Sequence, residues 1–142
     1  MFELDPKLRQ DTIPIGGLVL SRLLLMNDAS FPWLILVPAE PDIRELHELA
    51  QGQQMQLMAE ITAISRLMAE IFKPDKINVA ALGNVVSQLH VHVIARFRSD
   101  AAWPGPVWGK LPAKPYEKAE LERMLDAIRS RLAVRIVRDE AV

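Results

Sequence analysis

The hydrophobic residues of the chain follow two different periods, and the first of them is that of β-strands. Apolar runs cover residues 18–26 and 33–37, and the turn-prone residues 27–30 separate them. This arrangement predicts two strands in an antiparallel hairpin, because a parallel pair would need a long crossover. Upstream, the Pro and Gly residues at 14–17 punctuate the chain and separate its N-terminal segment from the hairpin.

From about Glu48 to Phe72 the apolar residues recur every three or four positions, which predicts a long amphipathic helix. Its apolar stripe consists of Leu57, Ile61, Ile64, Leu67, Met68 and Ile71. Pro74 ends this pattern, and a second helical pattern runs from about Tyr116 to Val134.

Two further strands are predicted between these helices. Residues 76–82 are strand-like, residues 83–84 break the pattern, and residues 88–94 alternate strictly for most of their length. The loop at 102–109 is too rich in Pro and Gly for a regular element. Strands, a helix, more strands and a terminal helix together predict an α+β domain, with helices packed on a mainly antiparallel sheet.

The composition fits one globular domain and excludes several classes of function. A chain of 142 residues, 50% hydrophobic and 25% charged, has the size and usage of a single domain. With 17 basic and 18 acidic residues, no positive excess indicates a nucleic-acid or membrane partner. The lack of cysteine excludes disulfides, thiol nucleophiles and thiolate zinc sites. No signal or spanning segment is apparent, so we expect a soluble cytoplasmic protein.

The strand predicted at 88–94 carries the clearest candidate chemistry. Alternate side chains of a strand share a face, so Gln88, His90 and His92 are expected to form one polar row of hydrogen-bond donors suited to an anion. Gly83 and Asn84 precede the row, and the backbone N–H groups of such a break can approach a phosphate closely.

Three interpretations of this row remain open on the residues alone. It is an exposed polar strand face, a metal site that would need His47 or a carboxylate as third ligand, or an anion site with a histidine nucleophile. A neutral imidazole is nucleophilic near pH 7 when its other nitrogen donates its hydrogen to a carbonyl. The context favours the third interpretation.

Residues 88–94, with the sequence Gln-Leu-His-Val-His-Val-Ile, resemble the signature of the histidine triad (HIT) superfamily, in which three histidines alternate with hydrophobic residues. The resemblance covers about residues 18–97 and extends to residues 25–27, residues 34–38, the long helix and residues 83–86. It implies a single HIT-like domain over residues 1–142, with the core at about 18–97 and a C-terminal loop and helix at about 98–142.

This resemblance implies a five-stranded antiparallel sheet with the long helix packed on it, and an intimate homodimer. It also implies nucleotidyl chemistry in which His90 attacks the α-phosphate of a nucleotide to form a nucleotidyl-histidine intermediate, without a metal or other cofactor. His92 would hold the phosphate and assist the leaving group. By the same resemblance Asn27 would contact the ribose, Asn84 would contact phosphate oxygens, and Asn78 would make another polar contact.

Three positions depart from the pattern of the family. Gln88 replaces the first triad histidine, Trp33 stands where many relatives have a histidine on the second strand, and Val85 replaces a serine or threonine that assists the leaving group. As a neutral amide, Gln88 is predicted to donate to a phosphate oxygen. Trp103 and Trp108 are interpreted as packing on the domain or on a dimer partner, with stacking on a substrate base as the less favoured alternative.

The leading hypothesis is therefore a nucleotide hydrolase that acts on adenosine-containing phosphoanhydrides of the diadenosine polyphosphate type. Its partners would be a purine nucleotide and a second copy of the chain, with no nucleic acid or membrane. A nucleoside phosphoramidase or nucleotidyl transferase with the same covalent step is one alternative. The other is a nucleotide-binding signalling dimer with little turnover.

Overall fold

The computed structural model describes residues 1–132, so the predicted end of the last helix at Val134 lies outside the described residues. In chain order the elements are α1 (Pro6–Asp11), β1 (Thr12–Gly17), β2 (Ser21–Met26), β3 (Trp33–Pro38), a 3-10 turn (Leu46–Glu48), α2 (Gln51–Phe72), β4 (Lys76–Ala80), β5 (Val91–Arg96) and α3 (Lys118–Arg129). Within this part of the chain, no helix is both long and apolar enough to cross a lipid bilayer.

The five strands form one sheet in the order β1-β2-β3-β5-β4, and every neighbouring pair is antiparallel. The predicted α+β fold with a five-stranded antiparallel sheet is therefore confirmed. All six residues of β3 and of β5 are buried, because both faces of the sheet are covered at its centre. This double cover explains why the sequence of β3 is a continuous apolar run rather than an alternating one.

The two faces of the sheet belong to two separate hydrophobic clusters. On one face, residues such as Leu34, Val91 and Val93 pack against the apolar stripe of α2. On the other face, a second cluster joins the sheet to the N-terminal segment and to the loop that follows β5. Its buried members are Leu4, Leu8, Leu24, Phe31, Trp33, Ile35, Val37, Val86, Ile94, Ala102 and Val107. The N-terminal segment and this loop therefore take the place of a second helical layer.

Strand β1, like the short helix α1 before it, was not predicted from the hydrophobic pattern. Residues 14–17 punctuate the sequence, yet they pair with β2, and the register shifts between Pro14 and Gly16. An edge strand tolerates proline and a bulge, because one side of it makes no ladder bonds. The strand predicted from residue 18 begins only at Ser21, because the N–H groups of Leu20 and Ser21 donate to the carboxylate of Glu60 on α2, at 2.8 and 3.0 Å.

Strand β5 begins at Val91, three residues later than the alternation predicted. The preceding residues make their hydrogen bonds outside the ladder: the Leu89 N–H donates to the carbonyl of Ile43, and the Gln88 carbonyl meets the His90 ring. The single polar row of residues 88, 90 and 92 is therefore wrong for residue 88, and only the two histidines come together.

Candidate active site

The rings of His90 and His92 lie edge to face, with their centroids 4.9 Å apart. His92 sits on β5, opposite Ile35 of β3 and Ala80 of β4, whereas His90 is the last residue before the strand. Both side chains are buried, at 7% and 4% relative exposure. A buried polar ring needs a hydrogen-bond partner, and each ring finds one through its Nδ1 atom.

The hydrogen bond of His90 fixes its tautomer. Nδ1 of His90 lies 2.7 Å from the backbone carbonyl oxygen of Gln88. A carbonyl oxygen only accepts, so Nδ1 must carry a hydrogen, and in the neutral ring Nε2 then keeps its lone pair. The arrangement that makes an imidazole a nucleophile is thus built from the backbone two residues upstream.

The hydrogen bond of His92 fixes the opposite tautomer. The indole Nε1–H of Trp33 donates to Nδ1 of His92 at 2.9 Å. Because an indole nitrogen only donates, Nδ1 is unprotonated and the hydrogen of His92 sits on Nε2. Burial first, and then the charge of neighbouring His90, lowers the pKa of His92 to about 3. His92 is therefore a neutral hydrogen-bond donor at pH 7.

Trp33 has a role that its sequence position alone did not reveal. The sequence marked it only as the replacement of a family histidine, and no local pattern links residues 59 positions apart. In the structure Trp33 is buried at 5% exposure and packs 5.6 Å from the His92 ring, centroid to centroid. The ring of Trp108 packs against both of these rings, with its centroid 5.8 Å from that of Trp33 and 5.0 Å from that of His92. Packing of Trp108 on the domain is thus confirmed.

Two adjoining cavities open beside this group. The histidine cavity, of about 230 Å³, is lined by His90, His92, Asn84 and Trp108 among others. The tryptophan cavity, of about 500 Å³, is lined by Asn27, Trp33 and Trp108 among others. Both are walled by Lys7, Asp11, Met26 and Trp108. The predicted site residues Asn27 and Asn84 therefore lie on neighbouring cavities that share one wall.

Two other predicted site residues are bonded elsewhere. The side chain of Gln88 accepts from the Asp5 N–H at 2.9 Å and donates to the Glu3 carbonyl at 2.8 Å, because the N-terminal segment runs beside it. The carbonyl of Asn78 accepts from Nη1 of Arg96 at 2.8 Å. Neither residue lines the histidine cavity or the tryptophan cavity. In this structure the polar groups that the prediction assigned to substrate are bonded to protein atoms, and Gln88 shares a third cavity with His90.

Asn78 belongs instead to a network centred on Arg96. This side chain is 1% exposed and forms an ion pair with Asp100, with Nε 2.8 Å from Oδ2. Although burial raises it, the hydrogen bonds from Arg96 and from the backbone N–H groups of residues 97, 102 and 103 lower the pKa of Asp100 to about 2. Trp103 lies over the guanidinium at 5.8 Å. The network therefore ties the loop after β5 to the sheet.

A metal site at His90 and His92 would need further ligating side chains close to them. Among residues 1–132 no group of three or more His, Cys, Asp or Glu side chains is arranged to hold an ion. His47 is exposed in the 3-10 turn and lines a third cavity with His90, but it does not line the histidine cavity.

These features define a class of protein: a small α+β domain with a buried pair of imidazoles, held in opposite tautomers, beside an open cavity. The HIT domain family matches residues 9–99, more than half of the chain, and the chain belongs to the HIT family. No curated protein matches its sequence significantly.

Solved structures of histidine triad proteins from three bacteria are similar over almost the whole chain. The protein from Bradyrhizobium japonicum is 50% identical, with a TM-score of 0.89 over 91% of this chain and 96% of its own. The protein from Sinorhizobium meliloti is 45% identical, with a TM-score of 0.90 over 93% and 98%. The protein from Marinobacter aquaeolei VT8 is 48% identical, with a TM-score of 0.90 over 92% and 95%.

Proposed function

We propose that the protein is a nucleotidyl hydrolase that cleaves adenosine-containing phosphoanhydrides at the α-phosphate, with diadenosine polyphosphates as the substrates to test first. The observation that carries this proposal is the pair of opposite tautomers. His90 presents a lone pair on Nε2, and His92 presents a hydrogen on Nε2, beside the same cavity. A nucleophile next to a neutral donor suits attack on an anionic phosphoryl group.

In the first step Nε2 of His90 attacks the α-phosphorus, and a nitrogen–phosphorus bond forms as the phosphorus–oxygen bond to the leaving group breaks. The bonding electrons depart with the leaving phosphate. His90 becomes a cationic nucleotidyl-imidazolium, which the Gln88 carbonyl stabilises through the Nδ1–H. Water then attacks the same phosphorus, the electrons of the nitrogen–phosphorus bond return to Nε2, and the proton of the water passes to solvent.

The chemistry of His92 favours a phosphoanhydride over a phosphoramidate. Because its pKa is lowered to about 3, His92 is neutral at pH 7. It can donate a hydrogen bond, but it does not carry the second proton that a general acid would transfer to the leaving group. A phosphate leaving group needs no proton, since its second pKa is about 6. An amine leaving group would need one, and Val85 offers no hydroxyl to relay it.

The remaining cavity residues fit the nucleoside part of such a substrate. We assign the phosphate to the histidine cavity, which Asn84 also lines, and the nucleoside to the tryptophan cavity. Asn27 lies on the tryptophan cavity, and its side-chain oxygen accepts from the Tyr116 N–H at 2.9 Å, so we assign its NH2 group to a ribose hydroxyl. We assign Trp108, which lines the same cavity, to the base. The attack by His90 and the hydrolysis of the intermediate need no metal ion and no other cofactor.

The proposal is tested by incubating the protein with diadenosine tetraphosphate, an adenosine phosphoramidate and an AMP ester, and separating the products. We expect fastest turnover of diadenosine tetraphosphate and, by rapid-quench mass spectrometry, an adenylyl adduct on a peptide that contains His90. Faster turnover of the phosphoramidate would favour the phosphoramidase alternative. Tight binding of AMP without any turnover would favour the nucleotide-binding dimer.

We also propose that the protein is a homodimer, as the family resemblance implies. Strand β4 is an edge of the sheet, and its Val79 and the nearby Leu82 are about half exposed, at 49% and 51%. Met55 and Met58 on α2 are more exposed still, at 69% and 61%. An unpaired edge strand beside apolar surface is a typical self-association surface. Sedimentation as a 16.0 kDa monomer at micromolar concentration would contradict this proposal.

A further inference from the structure

The N-terminal segment forms part of the wall of both cavities. Its side chains Leu4 and Leu8 are buried in the cluster that contains Trp33, at 8% and 5% exposure. Between them α1 begins, with Asp5 as its N-cap: the carboxylate of Asp5 accepts from the Lys7 N–H at 2.8 Å. The segment is thus a packed element beside the histidines.

Gln88 connects this segment to the nucleophile. Its side-chain amide accepts from the N–H of Asp5 and donates to the carbonyl of Glu3, while its backbone carbonyl takes the Nδ1–H of His90. A single residue therefore holds the N-terminal segment on one side and orients His90 on the other. Substitution of its side chain by a methyl group removes both of the side-chain bonds and leaves the backbone carbonyl in place.

Lys7 is the cation that this segment places at the site. Among the described residues, it is the one Lys or Arg that lines the histidine cavity, and the one that lines the tryptophan cavity. Its ammonium lies 2.9 Å from Oδ2 of Asp11, and the two side chains are 55% and 39% exposed. An exposed pair of this kind contributes little to stability, so an arriving anion can compete for the ammonium.

We infer that the N-terminal segment is part of the nucleotide site, with Lys7 as a phosphate-binding residue and Gln88 as the anchor of the segment. This inference rests on the proposed function for the identity of its ligand. The nucleotide phosphate, at the boundary of the two cavities, takes the ammonium of Lys7 from Asp11. The Gln88 amide serves as a structural clamp and touches no substrate.

Binding of AMP and of adenosine, measured by calorimetry, tests the role of Lys7. We expect Lys7→Met to weaken AMP about 5- to 20-fold and to leave adenosine within about twofold, because only AMP carries the phosphate. The affinity for AMP should also become less dependent on salt. Lys7→Arg should keep most of the affinity, and Lys118→Met, which removes an exposed lysine that lines neither cavity, should change nothing.

Asp11 provides a second control, because its carboxylate loses its partner when Lys7 is replaced. The double variant Lys7→Met/Asp11→Asn should bind AMP as weakly as Lys7→Met or only slightly better. Wild-type affinity in the double variant, unchanged affinity in Lys7→Met, or a wild-type protein that binds AMP no better than adenosine would each overturn the role of Lys7.

Hydrogen exchange tests the anchor independently of any ligand. In Gln88→Ala the amides of residues 3–8 should exchange at least about 10-fold faster, since the Asp5 N–H loses its partner. Gln54→Ala, which removes a comparable side-chain bond to the Leu49 carbonyl, should leave these amides unchanged. Unchanged exchange in Gln88→Ala would overturn the clamp.

Failure of this inference can be told apart from failure of the proposed function, because AMP binding needs no turnover. Weak AMP binding by Lys7→Met, in a protein that forms no adduct on His90, would contradict the hydrolase alone. An adduct on His90 together with normal AMP binding by Lys7→Met would contradict the role of Lys7 alone.

Discussion

The two ends of strand β5 both carry buried polar side chains, and they differ in where the hydrogen-bonding capacity of those side chains goes. At the C-terminal end, all three guanidinium nitrogens of Arg96 donate to protein oxygens: those of Asp100, Asn78 and Gly105. At the N-terminal end, His90 and His92 each use one ring nitrogen internally. Their second nitrogens belong to a cavity wall.

This difference separates a structural polar cluster from a chemical one. Burial costs a polar group its hydration, and at the Arg96 end protein oxygens accept four hydrogen bonds from the guanidinium. At the histidine end, one donor and one lone pair are left for a ligand, as a site that binds and transforms an anion requires. Burial alone therefore does not distinguish the two ends of β5. They differ in how many of their buried hydrogen-bonding groups have a protein partner.

Removal of the nucleophile should have the largest effect. His90→Ala is expected to lower turnover at least ~10³-fold, as the loss of other covalent nucleophiles does, because no other described residue lining the histidine cavity offers an unbonded imidazole lone pair. The variant should keep its fold, and a thermal melt by circular dichroism provides the control. A folded His90→Ala protein with more than a tenth of wild-type turnover would show that His90 is not the nucleophile.

Removal of the cation at the other end should act on stability instead. Arg96→Met leaves the Asp100 carboxylate buried with its backbone donors but without its ion-pair partner, which should lower the free energy of unfolding by about 3–5 kcal/mol. Turnover per folded molecule should stay within about threefold of wild type. Urea denaturation measures the first quantity, and a loss below about 1 kcal/mol would contradict the structural role given to this network.

The indole donor should have an intermediate effect on catalysis. Trp33→Phe keeps an aromatic ring but removes the N–H that fixes the tautomer of His92, so turnover should fall about 2- to 13-fold, the value of one neutral hydrogen bond. Trp103→Phe is the matched control, since that indole packs on Arg96 and not on the histidines. Equal effects of the two substitutions would remove the special role of Trp33.

The pH dependence of the free energy of unfolding should show the smallest difference between the two ends of β5. Because the pKa of His92 is lowered to about 3, its unfolded form binds a proton below about pH 6.5 while the folded form does not. Stability should therefore fall as the pH drops from about 6.5 towards 3, by at most about 1.4 kcal/mol per pH unit. The pKa of Asp100, lowered to about 2, adds a loss only below its ordinary value of 3.8.

Urea denaturation between pH 7 and 4.5 measures the share of His92. The slope should become shallower in His92→Gln, which does not titrate, and should be unchanged in Asp100→Asn over this range. A wild-type slope in His92→Gln would mean that His92 titrates alike in the folded and unfolded protein.

The sequence predicted those parts of the molecule that depend on local pattern. Strand β3, helix α2 and the alternation of residues 91–94 follow from the spacing of apolar residues, and the two histidines follow from their motif. Strand β1 was not predicted, because an edge strand that contains Pro and Gly has only a weak apolar pattern.

The hydrogen bonds around the site could not be predicted from the sequence, for a different reason. The Trp33–His92 bond joins side chains 59 positions apart, and the Gln88 side chain bonds to backbone groups of Asp5 and Glu3, 83 and 85 positions away. Neither bond leaves a periodic signal in the sequence. Strand alternation placed Gln88 beside the histidines, but the N-terminal segment competes successfully for its amide.

The tautomers of the two histidines are the central claim, and nitrogen-15 NMR of the imidazole rings at pH 7 tests them most directly. The predicted spectrum of the wild-type protein has the hydrogen of His90 on Nδ1 and that of His92 on Nε2, with His92 neutral. A hydrogen on Nε2 of His90, or a doubly protonated His92, would contradict the account.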